Sequence, residues 1–179
     1  DEDYATRGNR IKWNPAVKSR ADRDALREGL LSGKVDLVAT DHAPHSDEEK
    51  SQPYWSCPSG GPSVQHSLVM MLELAQRGVL PVEKVVEKMC HAPAVRYGVV
   101  GRGFLREGYH ADIVVVDPAK PQVVTRENIL YKCGWSPFEG ERFSSSVELT
   151  LVGGRKAFAE GRVDRSVRGD RLEFEPKRR

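Results

Sequence analysis

The sequence predicts an α/β fold that is followed by a small β appendage. In the first hundred residues, stretches rich in β-branched residues alternate with helical stretches. This β-loop-α-β order is typical of parallel strands joined by crossover helices. After residue 110 the pattern changes to short β-rich segments separated by turns. We therefore expect an α/β unit over residues 1–102, a β appendage over residues 103–165 and a charged tail over residues 166–179.

The elements of the α/β unit are predicted from the turn and capping residues that bound them and from their hydrophobic period. Strands are expected at residues 10–13 and 35–40, where short β-rich runs end in turn or loop residues. A helix is predicted between them, because Ser19 and Asp22 have the spacing of a capping box and Gly33 is a typical helix stop.

The remaining elements follow in chain order. Apolar residues recur along one helical face over residues 64–77 and again over residues 81–91, and both stretches are predicted helices. In the appendage, strands are expected at residues 111–117 and 121–125. The segment "VELTLVGGRKAFAEGRV" is typical of a β-hairpin that turns at Gly153-Gly154.

Composition and charge argue against several classes of protein. The chain has 28 Lys and Arg against 26 Asp and Glu, and this net charge of +2 gives no argument for nucleic-acid binding. No apolar stretch approaches the ~20 residues that span a bilayer, and no signal-peptide pattern is present. The three cysteines are widely spaced, which favours reduced thiols. We therefore expect a cytoplasmic protein without a nucleic-acid or membrane partner.

The stretch "VDLVATDHAPHSD" contains the strongest candidate for chemistry. Side chains at the carboxyl ends of strands in a parallel barrel face the active site, and Asp41 follows such a predicted strand. Asp41 there would ligate a metal, act as a general base, or do both. Alternatively, Asp41 caps the following turn, and His42 and His45 are ordinary loop residues. Because His42 directly follows Asp41 and would point elsewhere, a complete metal site within this motif is not expected.

Two other segments leave the same choice open. The glycines of "CPSGGPS", at residues 57–63, would let the backbone approach a small ligand and present N–H groups to it. Alternatively, they form a flexible connection to the helix at residue 64. Asn14 would direct an amide towards a ligand from its strand end, or would make a turn with Pro15. The residues alone do not decide between these interpretations.

A family resemblance favours the functional interpretation. The motif "VATDHAPHS" resembles the signature around the last barrel strand of dihydroorotases, in the cyclic-amidohydrolase branch of the amidohydrolase superfamily. Matching segments follow in the family's order: "IKWNPAVKSRADRDALREGL", the motif itself, "SGGPSVQHSL", "HAPAVRYGV", "REGYHADIVVVDP" and "YKCGWSPFEG". The resemblance covers nearly the whole chain. It implies the C-terminal portion of a metal-dependent-hydrolase TIM-type β/α barrel, with its last two strands and helices, plus a small β-sandwich appendage.

The resemblance also implies roles for individual residues. Asp41 would be the catalytic carboxylate that contacts a zinc ion and shuttles the proton. His45 would contact the carboxylate of dihydroorotate, and Asn14 would hydrogen-bond the substrate ring. The backbone from Pro58 to Gly61 would complete the pocket, with Pro58, Gly60 and Gly61 as the substrate-binding positions.

The implied activity is the zinc-dependent, reversible hydrolysis of dihydroorotate to N-carbamoyl-aspartate in de novo pyrimidine biosynthesis. The implied cofactor is Zn²⁺, binuclear in the complete enzyme. The family pattern draws its other ligands from an H-x-H on the first strand, a bridging carboxylate and two further histidines, none of which precedes Asn14 here. The chain also begins at Asp1 rather than Met. We therefore expect a C-terminal part that is inactive alone and whose remaining metal ligands lie outside this chain.

Two alternatives stay open. One is a noncatalytic dihydroorotase-like subunit that scaffolds aspartate transcarbamoylase, against which the retention of both Asp41 and His45 argues. The other is a related cyclic amidohydrolase of the hydantoin or allantoin type, against which His45 argues. The expected partners are a small-molecule substrate, dihydroorotate or N-carbamoyl-aspartate, and either a second copy of the chain in a homodimer or aspartate transcarbamoylase.

Overall fold

A computed structural model describes residues 1–176, in which the α-helices precede the strands. The helices are α1 (Tyr4–Arg7), α2 (Arg20–Ser32), α3 (Asp47–Lys50), α4 (Ser67–Gln76), α5 (Val82–Val86) and α6 (Ala92–Tyr97). The strands are β1 (Ile113–Asp117), β2 (Gln122–Val123), β3 (Arg142–Phe143), β4 (Ser146–Val152), β5 (Arg155–Ala159) and β6 (Arg162–Val163). Short 3₁₀ turns lie at Gly8–Ile11 and Arg126–Asn128, and a π turn at Glu87–His91 joins α5 to α6.

The helix predicted between residues 19 and 33 is confirmed as α2. The Ser19 hydroxyl accepts a hydrogen bond from the Asp22 N–H, and the Asp22 carboxylate accepts one from the Ser19 N–H. This reciprocal capping box satisfies two N–H groups that the first helical turn leaves unpaired. Gly33 ends the helix with a φ of 81°, in the left-handed region that glycine adopts without strain.

The strands predicted at residues 10–13 and 35–40 are wrong for the described residues. The first stretch begins in the 3₁₀ turn that ends at Ile11, and the second is extended without a strand beside it. A strand needs a neighbour to pair its backbone groups, and here the Val38 N–H donates to the carbonyl of Lys88 instead. The parallel pairing that the described residues do form is a bridge between His42 and Gly61.

The β-rich part of the chain forms two antiparallel sheets. One has four strands in the order β1-β4-β5-β6, and the other pairs β2 with β3. The predicted hairpin is confirmed: β4 and β5 pair on either side of Gly153 and Gly154, whose φ angles are 54° and 76°. Positive φ at both positions matches the right-handed twist of a tight hairpin. These strands lie within residues 103–165, where the sequence predicts a β appendage, and the appendage as a small β-sandwich stays a prediction.

Helix α4 joins the helical part of the chain to the β appendage. On one side, buried Met71 packs in a cluster with Leu30 of α2 and Val85 of α5. On the other side, buried Val69 packs against Val124 and Phe143 of the β appendage. Because α4 contributes to both clusters, it fixes the position of the appendage beside the loops that follow residue 40. None of the helices in residues 1–176 has the length and apolar character that a membrane span requires.

Candidate active site

The predicted site residues lie on three segments that contact one another. The Gly60 N–H donates to the Lys12 carbonyl at 3.0 Å, two residues before Asn14. The Ala43 N–H donates to the Gly61 carbonyl at 3.2 Å, within the loop that carries Asp41 and His45. The structure therefore brings together the residue 12–14 segment, the residue 41–45 loop and the glycine-rich segment at residues 57–63.

Close packing between these segments depends on the two adjacent glycines. Gly60 has a φ of 123°, and a Cβ built there would lie 2.7 Å from the Ala43 carbonyl oxygen. A Cβ at Gly61 would lie 2.7 Å from the indole nitrogen of Trp13. Real Cβ atoms do not approach other heavy atoms this closely, so glycine at both positions is what allows the contact.

Asp41 lies exposed at the end of the extended 35–40 segment and has a φ of 44°. Left-handed backbone is uncommon outside glycine, although Asp and Asn adopt it more readily than other residues, and such positions cluster at functional sites. Among residues 1–176, no group of three or more His, Cys, Asp or Glu side chains is placed to hold a metal ion. Asp41 is thus a candidate for one metal ligand, but it does not make a complete metal site with the other described side chains.

His45 is held against the glycine-rich segment. Its Nε2 atom lies 3.1 Å from the Ser59 carbonyl oxygen, which only accepts hydrogen bonds, so Nε2 carries a proton. Its Nδ1 atom lies 3.6 Å from a carboxylate oxygen of Glu49. The indole N–H of Trp135 donates to the His45 backbone carbonyl at 2.8 Å. Ring and backbone of His45 are therefore both fixed in place.

His42 also helps to hold the residue 41–45 loop in place. Its Nδ1 atom accepts a hydrogen bond from the Ser63 N–H at 3.0 Å, and its ring packs on Tyr131 with centroids 5.4 Å apart. The Ser63 hydroxyl donates to the Thr40 carbonyl at 2.8 Å. These contacts lock residues 40–42 to the end of the glycine-rich segment, so His42 supports the site.

Behind this loop lies a buried polar cluster that sequence reasoning did not predict. His66 is 3% exposed, and burial lowers the pKa of its imidazole to about 4. Its Nδ1 atom accepts from the Tyr131 hydroxyl at 3.1 Å, and that hydroxyl in turn accepts from the Gln65 N–H at 2.9 Å. Burial also raises the pKa of Tyr131 to about 12, which keeps the phenol protonated as a donor. A lone histidine before a helix gives no sequence signal for such a cluster.

The buried state of His66 predicts an acid-sensitive fold. Its native pKa of about 4 lies below the ordinary value of 6.5, so the unfolded chain binds one more proton between these two pH values. Stability should therefore fall as the pH drops from 6.5 towards 4, by about 3 kcal/mol in total from this group. His66→Gln, measured by denaturant unfolding at several pH values, should remove this part of the pH dependence. His110→Gln removes an exposed histidine and is the control; the same change in both variants would contradict the assignment.

Comparisons with known proteins agree on the family. The sequence profile of the Amidohydrolase family matches residues 5–157. A dihydroorotase of Endomicrobium trichonymphae is 40% identical over 144 residues, which cover 80% of this chain and 34% of that protein. A dihydroorotase of Halobacterium salinarum is also 40% identical, over 72% of this chain and 31% of that protein. The chain thus spans about a third of the length of the curated relatives that it matches.

Solved structures agree with the sequence relatives. The L-hydantoinase (dihydropyrimidinase) of Arthrobacter aurescens superimposes with a TM-score of 0.84 at 31% identity, over 90% of this chain and 37% of that one. A D-hydantoinase structure superimposes with a TM-score of 0.83 at 23% identity, again over 90% of this chain and 37% of that one. At this identity the match shows a shared fold alone. The predicted resemblance to dihydroorotases and to cyclic amide hydrolases is thereby confirmed. With its profile match, its curated relatives and its structural neighbours in agreement, the chain belongs to the amidohydrolase family.

Proposed function

We propose that the chain forms part of a zinc-dependent dihydroorotase, which hydrolyses dihydroorotate reversibly to N-carbamoyl-aspartate in de novo pyrimidine biosynthesis. The main structural support for this proposal is the contact of the residue 41–45 loop with Gly60 and Gly61, next to the segment that contains Asn14. The similarity to proteins named dihydroorotase supports the choice of substrate.

Asp41 is the proposed proton-transfer residue. Opening a cyclic amide requires a base that takes the proton of the attacking water and returns it to the leaving ring nitrogen, and an exposed carboxylate at a loop edge is suited to both steps. Zinc, when bound, polarises the amide carbonyl and activates water. Asp41 fits as one of its ligands, and we propose that the other donors come from outside the described residues. The 179-residue chain is accordingly proposed to be inactive alone.

We assign substrate recognition to the segments that contact the Asp41 loop and to His45 within that loop. Dihydroorotate carries a carboxylate, and the imidazole of His45, held beside the N–H groups of the glycine-rich segment, suits an anionic partner. Asn14 is exposed and would hydrogen-bond the polar substrate ring. The backbone of Pro58, Gly60 and Gly61 forms the wall next to His45 in this proposal.

A related cyclic amidohydrolase acting on a hydantoin is the second candidate, because a solved structure named L-hydantoinase is 31% identical to the chain. Hydantoin itself has no carboxylate to pair with His45, which favours dihydroorotate. A noncatalytic scaffold for aspartate transcarbamoylase would not need the carboxylate of Asp41. Formation of N-carbamoyl-aspartate from dihydroorotate by the complete product of the gene separates these candidates.

A further inference from the structure

Lys50, at the end of α3, is a buried cation with an unusual set of partners. The residue is only 3% exposed. The ammonium nitrogen is 2.9 Å from the carbonyl oxygens of Pro58 and Gly60 and 3.3 Å from that of Lys12. A buried charge is costly unless hydrogen bonds compensate it, and here backbone carbonyls supply that compensation.

These three carbonyls belong to two of the three segments that make the candidate site, and Lys50 itself is tied to the third. The N-cap residue of helix α3, Ser46, directly follows His45 and forms a capping box with Glu49. This cap fixes the path of the chain from His45 to Lys50. The ammonium group therefore joins the residue 12–14 segment and the glycine-rich segment to the loop of His45.

The ammonium contacts also orient peptide groups. In a trans peptide the carbonyl and the following N–H point in opposite directions. Since the carbonyls of Pro58 and Gly60 point at the Lys50 ammonium, the N–H groups of Ser59 and Gly61 point away from it. The Gly61 N–H lies at the parallel bridge with His42, whereas the Ser59 N–H is a donor of the kind that a glycine-rich segment offers to an anionic ligand.

We propose that Lys50 is a positioning residue of the active site, which holds the peptide groups of Lys12, Pro58 and Gly60 so that Asn14, His45 and the glycine-rich backbone face one anionic substrate. The role in turnover rests on the proposed dihydroorotase function. The role in loop geometry does not, and it is measurable without substrate.

The test compares Lys50→Met with Lys88→Met in the complete gene product. Methionine keeps the buried stem of Lys50 but removes its three donors, which leaves the carbonyls of Pro58 and Gly60 without this partner. Lys88 is the matched control, because it is also 3% exposed and its ammonium also contacts a backbone carbonyl, that of Val35, at 2.9 Å. Amide hydrogen exchange of Gly60, and KM and kcat for dihydroorotate, are measured for both variants.

We expect Lys50→Met to speed exchange at Gly60 at least tenfold and to raise KM at least tenfold, with a smaller change in kcat. Lys88→Met should lower the melting temperature without either effect. Unchanged exchange at Gly60 in folded Lys50→Met would overturn the proposal. If the unsubstituted protein does not turn over dihydroorotate, the proposed function fails, while the exchange measurement still decides the role of Lys50.

A second variant covers the case in which Lys50→Met does not fold. Lys50→Arg keeps a positive charge and N–H donors, but places them in a planar group of different reach. We expect it to fold, to speed exchange at Gly60 and to raise KM, each by a smaller factor than the methionine variant. A folded arginine variant with unchanged exchange and unchanged KM would contradict a positioning role.

Discussion

Asp41→Asn in the complete gene product is expected to lower kcat for dihydroorotate by about 10³-fold, because an amide does not accept and return a proton as a carboxylate does. The substitution suits the backbone, since Asn adopts the left-handed φ of 44° at this position at least as readily as Asp. The melting temperature should therefore stay close to that of the unsubstituted protein. Steady-state kinetics and a thermal melt on the same preparation measure both effects.

The matched control for this change is Asp36→Asn. Asp36 is an exposed carboxylate in the same β-rich stretch, so the variant makes the same change of charge nearby. It should retain near-normal kcat. Full activity in Asp41→Asn, or an equal loss in both variants, would contradict the assignment of Asp41 as the proton-transfer residue.

Gly60→Ala is expected to destabilise the fold by about 3 kcal/mol or more, which is the cost of a strained backbone together with a steric clash. The φ of 123° is a region that residues with a Cβ rarely adopt. The new Cβ would also lie 2.7 Å from the Ala43 carbonyl oxygen and 2.8 Å from the Ala43 Cβ. The glycine-rich segment and the residue 41–45 loop would have to separate. Denaturant unfolding measures the loss.

Gly108→Ala separates the clash from the backbone strain. Gly108 also has a positive φ, of 80°, but a Cβ there would meet nothing within 4 Å. Its substitution should cost only the conformational strain, about 1–2 kcal/mol. Equal losses for the two variants would show that Gly60 is not needed for the close approach of the two loops.

The parts of the fold that the sequence predicts are those determined locally. Helix α2 is bounded by the capping box at Ser19 and the stop at Gly33, and the β4–β5 hairpin by two glycines with positive φ. Each signal lies within a few residues of the structure that it specifies. Residues 35–40 have strand composition, but a strand forms only beside a partner, and composition carries no information about the neighbour.

The candidate site also divides into features that the local sequence predicts and features that depend on tertiary contacts. The motif at residues 41–45 and the glycines at residues 57–63 were identifiable from their chemistry, and the structure places them in contact. Lys50, which holds them, was not identifiable. It ends the charged run "SDEEK", which is typical of a solvated surface. Only the tertiary structure reveals that this side chain is buried.

The most direct test of the proposed function is the formation of N-carbamoyl-aspartate from dihydroorotate, measured with zinc present, for the complete gene product and for the 179-residue chain alone. Hydantoin, which lacks the carboxylate assigned to His45, is assayed beside it. We predict turnover of dihydroorotate by the complete gene product, a kcat/KM for hydantoin at least tenfold lower, and no turnover by the chain alone. No product from dihydroorotate with the complete gene product, or a preference for hydantoin, would contradict the account.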